Sequence, residues 1–237
     1  MVEAPVTLSV SNASVIRRGK RLLGPIDLTF AEHGLTMVIG PNGAGKTTLL
    51  KSLHGIERLS EGEVTWSLPS EEMRDRQAYV FQRPIMLRRS VRDNLAYPLQ
   101  VVGTSKSEIR KRCAYWADKI GLVDAMDRPA PRLSGGEQQK LALARALIRN
   151  PTVLFLDEPC ASLDGQATRD IEALLKQAQA AGTRIIMTTH NIGQLRRLAT
   201  DVIMLRAGKV CETGSTPQIL DTPQSPDLKA LLKGDIL

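Results

Sequence analysis

The sequence predicts an α/β fold with a mainly parallel sheet, an N-terminal antiparallel β part and an inserted helical subdomain. Three observations predict it. Short, almost wholly apolar runs, "LTMVI" at 35–39, "TVLFLD" at 152–157, "RIIMTTH" at 184–190 and "DVIMLR" at 201–206, suit strands buried on both faces. Helical stretches at 137–149, 167–180 and 191–199 alternate with the last three, the pattern that builds a parallel sheet. Residues 83–132 carry no strand period and read as a helical insertion.

Taken in order, "VTLSV" and "IDLTF" alternate with the period of two expected of half-exposed strands and form the antiparallel part. The opening "MVEAPVTLSV" holds Glu3 and Pro5 and lacks a long apolar core, so it reads as a first strand rather than a signal peptide. Gly40 ends "LTMVI", and "KTTLLKSLHG" begins a helix. In the insertion, "SKSEIRKRCAYWADKI" opens with a Ser-x-x-Glu capping box at Ser105 and Glu108 and puts Ile109, Cys113, Trp116 and Ile120 on one face. Pro84 and "RPAPR" at 128–132 bound it. "DVIMLRAGKVCETG" has a glycine-containing turn and reads as a hairpin. A tail at 214–237 reads as one or two short helices on the outside, so residues 1–237 form a single domain.

Composition narrows the class. At 237 residues the chain can bury a sizeable core, and 42% apolar with 24% charged residues is ordinary for a soluble globular protein. No run approaches the ~20 apolar residues that cross a bilayer. The three cysteines, Cys113, Cys160 and Cys211, are odd in number and far apart, which argues against disulfides or a metal knuckle and for a reducing, cytoplasmic setting. The net charge of +7 is spread along the chain without an aromatic-rich basic stretch, so no nucleic acid is expected.

"GPNGAGKTT" fits G-x-x-x-x-G-K-[ST] between a buried strand and a helix, the setting of a phosphate-loop NTPase core. Its residues, Gly40, Pro41, Asn42, Gly43, Ala44, Gly45, Lys46, Thr47 and Thr48, are the expected cradle for nucleotide phosphates. Lys46 reaches the β- and γ-phosphates and the Thr47 hydroxyl takes Mg²⁺. Further on, "VLFLDEP" ends a buried strand in Asp157 and Glu158. Mg²⁺ is the natural partner for a carboxylate at Asp157, and Glu158 stands where it can orient or deprotonate a water. His190 ends the next strand, and parallel strands deliver such ends to one crevice. A second anion site is suggested by "RLSGGEQQK" at 132–140, where Ser134 and two glycines cap a helix.

The order of "GPNGAGKTT", Gln82 in "YVFQRP", "LSGGEQQK", "VLFLDEP", "ASLD" with Asp164, and His190 resembles the ATP-binding cassette, or ABC, ATPases over roughly residues 6–220. The resemblance implies two cassettes facing head to tail, each ATP lying between the phosphate loop of one and Ser134, Gly135 and Gly136 of the other. It makes Glu158 the general base or water-orienting residue and His190 a clamp on the γ-phosphate. Gln82 would contact Mg²⁺ and the attacking water, and Asp164 would lie in the loop that crosses to the partner. It further implies ATP and Mg²⁺ as cofactors, transmembrane permease subunits docked on "RPIMLRRSVRDNLAYPL", a solute-binding protein in the same system, and a peripheral place on the cytoplasmic face of the inner membrane.

The style is that of a bacterial importer, and "HNIGQLRRLATDVIMLRAGKV" resembles importers of oxyanions such as phosphate or tungstate. An exporter cassette has the same site, and a soluble ABC ATPase acting on DNA or ribosomes is the reading from another class. One departure stands out: relatives stack adenine on an aromatic residue upstream of the phosphate loop, where this chain has "VIRRGKR". Arg17 or Arg18 stacking through its guanidinium plane, or loose contact with Val15 and Ile16, is expected instead.

Overall fold

The computed structural model describes residues 6–233. Two sheets form. β1 (Leu8–Arg17), β2 (Lys20–Thr29) and β4 (Glu61–Trp66) make an antiparallel sheet in the order β2-β1-β4. The central sheet has the order β5-β6-β7-β3-β8-β9, with β5 (Gln77–Val80), β6 (Val153–Asp157), β7 (Arg184–Thr188), β3 (Leu35–Ile39) and β8 (Asp201–Arg206) parallel and β9 (Lys209–Ser215) antiparallel at the edge.

Strands β3, β6 and β7 are buried along their whole lengths, because alternate side chains feed two different cores. Val38, Val153, Phe155 and Ile186 point to a core shared with the antiparallel sheet and with Leu49, Leu50 and Leu53 of α1 (Lys46–His54). Met37, Leu154, Leu156, Ile185 and Met187 point to the opposite core, shared with α5 (Gly135–Leu147), α6 (Gly165–Ala180), α7 (Ile192–Leu198) and the helical insertion. Helix α1 is thus clamped between two sheets, and its first turn is fixed at the carboxyl end of β3.

The insertion contains α3 (Val91–Val101) and α4 (Lys106–Lys119), followed by two single 3₁₀ turns. On α4, Cys113 and Ile120 are buried and Ile109 and Trp116 half-buried, as the period requires. The expected capping box does not close: Ser105 accepts from the Glu108 N–H at 3.4 Å, but the Glu108 carboxylate pairs with Arg112 at 2.7 Å. An i,i+4 arginine competes successfully for that carboxylate.

The first two strands run well beyond the expected "VTLSV" and "IDLTF". They meet at a two-residue turn in which Arg18 and Gly19 have φ of 50° and 75°, the primed geometry that matches strand twist. Strands β4 and β5 and helix α2 (Ser70–Arg76) were not expected, since "EGEVTW" is a mostly exposed strand and β5 has only four residues. The tail forms α8 (Thr216–Asp221) and α9 (Pro226–Lys233), pinned by fully buried Ile219 and Leu228. Residues 1–5 of the expected first strand and 234–237 of the tail lie outside the described residues. Among the described residues no helix is long and apolar enough to cross a membrane.

Candidate functional site

Parallel pairing puts the carboxyl ends of β5, β6, β7 and β3 along one edge of the sheet, and each delivers a motif to it. The loop after β3 turns at Gly40 with φ 144°, where a Cβ would lie 2.1 Å from the Leu205 carbonyl oxygen, so no other residue fits. Pro41 accepts from the Ala44 N–H at 3.1 Å, and Ala44 in turn accepts from Gly208 at 2.9 Å, which fastens the loop to the β8–β9 turn. Asn42 and Gly43 stay exposed. Gly45 caps α1 and no acidic residue occupies its first turn, so the free N–H groups of Lys46, Thr47 and Thr48 meet no competing carboxylate.

Lys46 is 6% exposed, and its Nζ donates to the carbonyls of Gly40 and Pro41 at 2.9 and 3.2 Å. Thr47 Oγ1 donates to Asp157 Oδ1 at 3.0 Å. Asp157 is 4% exposed and takes a second hydrogen bond on the same oxygen from Thr188 Oγ1 at 2.8 Å. Thr188 Oγ1 also accepts from the Glu158 N–H at 2.8 Å. One hydroxyl therefore ties both acids to the end of β7.

Glu158 stands at φ 45°, a left-handed backbone that costs a non-glycine residue on the order of 1–2 kcal/mol. The turn aims its carboxylate at three groups: Lys46 Nζ at 3.7 Å, Gln82 Nε2 at 3.3 Å and His190 Nδ1 at 3.3 Å. His190 lies two residues beyond the end of β7 and is 63% exposed, so its free ring face looks out of the crevice. Asn191, given no role by the sequence, caps α7 by accepting from the Gln194 N–H at 3.0 Å. Gln194 also accepts from Thr189 at 2.9 Å and donates to Glu172 at 3.3 Å, while Arg197 grips Glu172 at 2.6 and 2.8 Å. The His190 loop is thereby braced against α6.

A second cluster forms away from this crevice. Ser134 caps α5 in a closed capping box: its Oγ accepts from the Glu137 N–H at 3.3 Å and its N–H donates to the Glu137 carboxylate at 2.7 Å. Those bonds hold the Glu137 carboxyl below its ordinary pKa. The N–H groups of Gly135 and Gly136 have no partner within the helix, and Gly135 is exposed and Gly136 half-buried. A Cβ on Gly136 would lie 3.2 Å from that of Ala167, so glycine lets α5 start against α6. Asp164 caps α6 by accepting from the Ala167 N–H at 2.7 Å. Among the described residues no hydrogen bond or ion pair joins Ser134, Gly135, Gly136 or Asp164 to the phosphate loop of the same chain.

Residues 23–161, more than half of the chain, match the family described as ABC transporter. The chain belongs to that family. A tungstate uptake ATP-binding protein of Peptoclostridium acidaminophilum is 40% identical over 208 residues, covering 86% of this chain and 97% of the relative. An iron(3+) import ATP-binding protein of Streptomyces avermitilis is 36% identical and covers 91% of this chain, which spans only 64% of that relative's length. Among solved structures, cbiO1 from Clostridium perfringens, part of the cbiONQ ABC transporter complex, superimposes with a TM-score of 0.81 at 27% identity over 92% of each chain. A dimeric ATP-binding cassette in a post-hydrolysis state with ADP and Pi gives 0.79 at 26% identity, over 88% of this chain and 98% of that one. This cassette is accordingly an ATPase of the ABC type.

One sequence-derived role changes. Glu57 fixes the edge of the Arg17 guanidinium at 2.6–3.1 Å. Val15 is 1% exposed in the core, which leaves Arg17, Arg18 and half-buried Ile16 of that stretch. Sequence reasoning passed over Thr188 and Tyr79. Burial first, and then the charge of Asp157, keeps the Tyr79 hydroxyl protonated far above its ordinary range beside the acid. Only the "TTH" run before the histidine signalled Thr188.

Proposed function

We propose that this chain is the ATP-hydrolysing subunit of a bacterial importer in which two copies enclose two ATP molecules and drive separately encoded permease subunits. The observation that carries it is the separation of two phosphate-seeking clusters on one chain. The crevice presents Lys46, Thr47, Asp157, Glu158, Gln82 and His190, while the start of α5 presents Ser134, Gly135 and Gly136 elsewhere with free N–H groups. A head-to-tail pair brings each cluster to the other's nucleotide, giving two sites by one symmetry operation. Asp164, beside Gly136, then stands at the crossing between copies.

In this reading the loop N–H groups and Lys46 hold the β- and γ-phosphates. Glu158 accepts the proton of a water that adds to the γ-phosphorus as the bond to the β,γ-bridging oxygen breaks, releasing ADP and phosphate. Gln82 and His190 hold the Glu158 carboxylate in line and meet the γ-phosphate. Thr47 and the buried Asp157 share one hydrogen bond and offer an all-oxygen donor set that fits Mg²⁺. That ion, when bound, neutralises developing charge on the phosphates.

A groove of about 440 Å³ lies beside β5 and α3. Phe81, Ile85, Tyr97 and Val101 line it and are exposed apolar residues, whereas Val91, Leu95 and Leu99 of the same segment belong to the core. An apolar groove of this kind suits a short helix of a permease subunit and holds the cassette peripherally on the cytoplasmic face of the membrane. Similarity to the tungstate relative over nearly its whole length supports an oxyanion as cargo, delivered by a solute-binding protein. The test is co-purification with permease subunits encoded alongside: the complex forms with the wild-type chain and is lost in Ile85→Asp and Val101→Asp variants that melt normally. Recovery of the complex with both variants would refute the docking surface.

A further inference from the structure

We propose that the cavity at the amino ends of β6 and β7 is a binding site for a small organic anion, a carboxylate or phosphate group on an apolar body. It lies at the edge of the sheet opposite the nucleotide crevice, because Val153 opens β6 and Arg184 opens β7 whereas the catalytic groups follow the strands' carboxyl ends. The cavity holds about 920 Å³, within the range of small-molecule sites. Tyr115 and Trp116 of α4 form one wall, and Leu174 and Ala178 of α6 the other. An occupant therefore touches the helical insertion and the core domain together.

Arg184, on the cavity lining, sets the sign of the ligand. It is 3% exposed, its Nη1 donates to the Val6 carbonyl at 3.3 Å, and its guanidinium carbon lies 5.5 Å from the centre of the Phe30 ring. Among the described residues its Nε and Nη2 have no hydrogen-bond partner. Those two atoms share one edge of the guanidinium, the fork that matches two oxygens of a carboxylate or an oxyanion. An unpaired buried cation edge is costly, and burial lowers the Arg184 pKa to about 10 despite the charges of Asp201 and Glu32.

Arg112, also on the lining, has its needs met by Glu108 at 2.7 Å and the Ile148 carbonyl at 3.3 Å. Among the described lining residues, Arg184 alone has buried side-chain polar atoms without a partner, although Glu32 and Glu108 also line the cavity. Both free atoms are closed to solvent, so the anionic head enters by parting the side chains above them.

Trp116 reports on the site. The chain has two tryptophans, so a Trp66→Phe protein leaves Trp116 as sole emitter. With Mg–ADP saturating the nucleotide crevice, phenyl phosphate or phenylacetate is added and Trp116 emission followed. Saturable binding with Kd below about 1 mM is expected, about tenfold weaker in Arg184→Met. Ala178→Phe, which narrows the cavity and keeps the arginine, weakens it. Inorganic phosphate, lacking the apolar body, competes only at much higher concentration, and benzyl alcohol, lacking the charge, does not compete. Absence of saturation, or equal binding by folded Arg184→Met and Ala178→Phe proteins, overturns the proposal. So does a Glu3→Gln change that lowers the melting temperature as far as Arg184→Gln, which would assign the guanidinium to the chain's own first residues.

Discussion

Replacing Thr188 by Val removes one hydroxyl and almost no volume, yet that hydroxyl serves two acids. It donates to Asp157 Oδ1 at 2.8 Å and accepts from the Glu158 N–H at 2.8 Å, in a residue with no exposure. A hydrogen bond to a charged group contributes about 1.5–3 kcal/mol, and a buried N–H left without an acceptor costs about 1–3 kcal/mol. The added methyl offsets roughly 1 kcal/mol of this, so the expected loss is about 2–4 kcal/mol in a urea or thermal melt. The kinetic effect is the sharper test. Without its acceptor, Glu158 can relax from φ 45° and its carboxylate leaves the contacts with Gln82 and His190. Steady-state ATPase assays then show kcat down about tenfold or more, while ATP affinity moves by less than about threefold because Thr188 does not touch the phosphate loop. A variant within about 0.5 kcal/mol of wild type in a melt, with unchanged kcat, would show that the Thr188 hydroxyl holds neither acid in place.

Arg17→Ala breaks an ion pair whose arginine side chain is 63% exposed, so it costs about 1 kcal/mol or less and leaves ATP affinity within about twofold in a nucleotide titration. Glu137→Gln costs about 1 kcal/mol through the cap. Because the Ser134 N–H holds the folded Glu137 pKa down, the ion's contribution is present above the unfolded carboxylate pKa and lost as pH falls through the folded value, so the variant flattens the acid limb of a stability profile. Cys160 works in the other direction. Burial raises its thiol pKa to about 11, so its contribution is present below the unfolded thiol value and lost as pH rises from about 9 to 11, a loss that Cys160→Ala removes from denaturation midpoints.

The central sheet was legible because its strands are buried on both faces and leave uninterrupted apolar runs, as in "LTMVI" and "VLFLD". β4 was not, since Glu61, Gly62 and Glu63 sit on an exposed strand held by pairing to β1 rather than by burial. The hairpin at Arg18-Gly19 went unread, although alternation on both sides marks it. At the site, phosphate-loop spacing and acids at a strand end carry their chemistry locally. Thr188 and the brace of Gln194, Glu172 and Arg197 depend on which strands and helices become neighbours, which no local period encodes. The closed capping box at Ser134 and Glu137 was readable from the same Ser-x-x-Glu pattern that failed at Ser105, where Arg112 takes the glutamate.

In the proposed dimer the phosphate loop of one copy and the start of α5 of another complete one ATP site. Sedimentation of Glu158→Gln protein with ATP and Mg²⁺ tests it most directly, since that change keeps nucleotide binding while slowing hydrolysis. The expected result is a dimer that needs ATP and disappears when Ser134→Arg is added. A Glu158→Gln protein that stays monomeric at saturating ATP, or a dimer indifferent to Ser134→Arg, would contradict it.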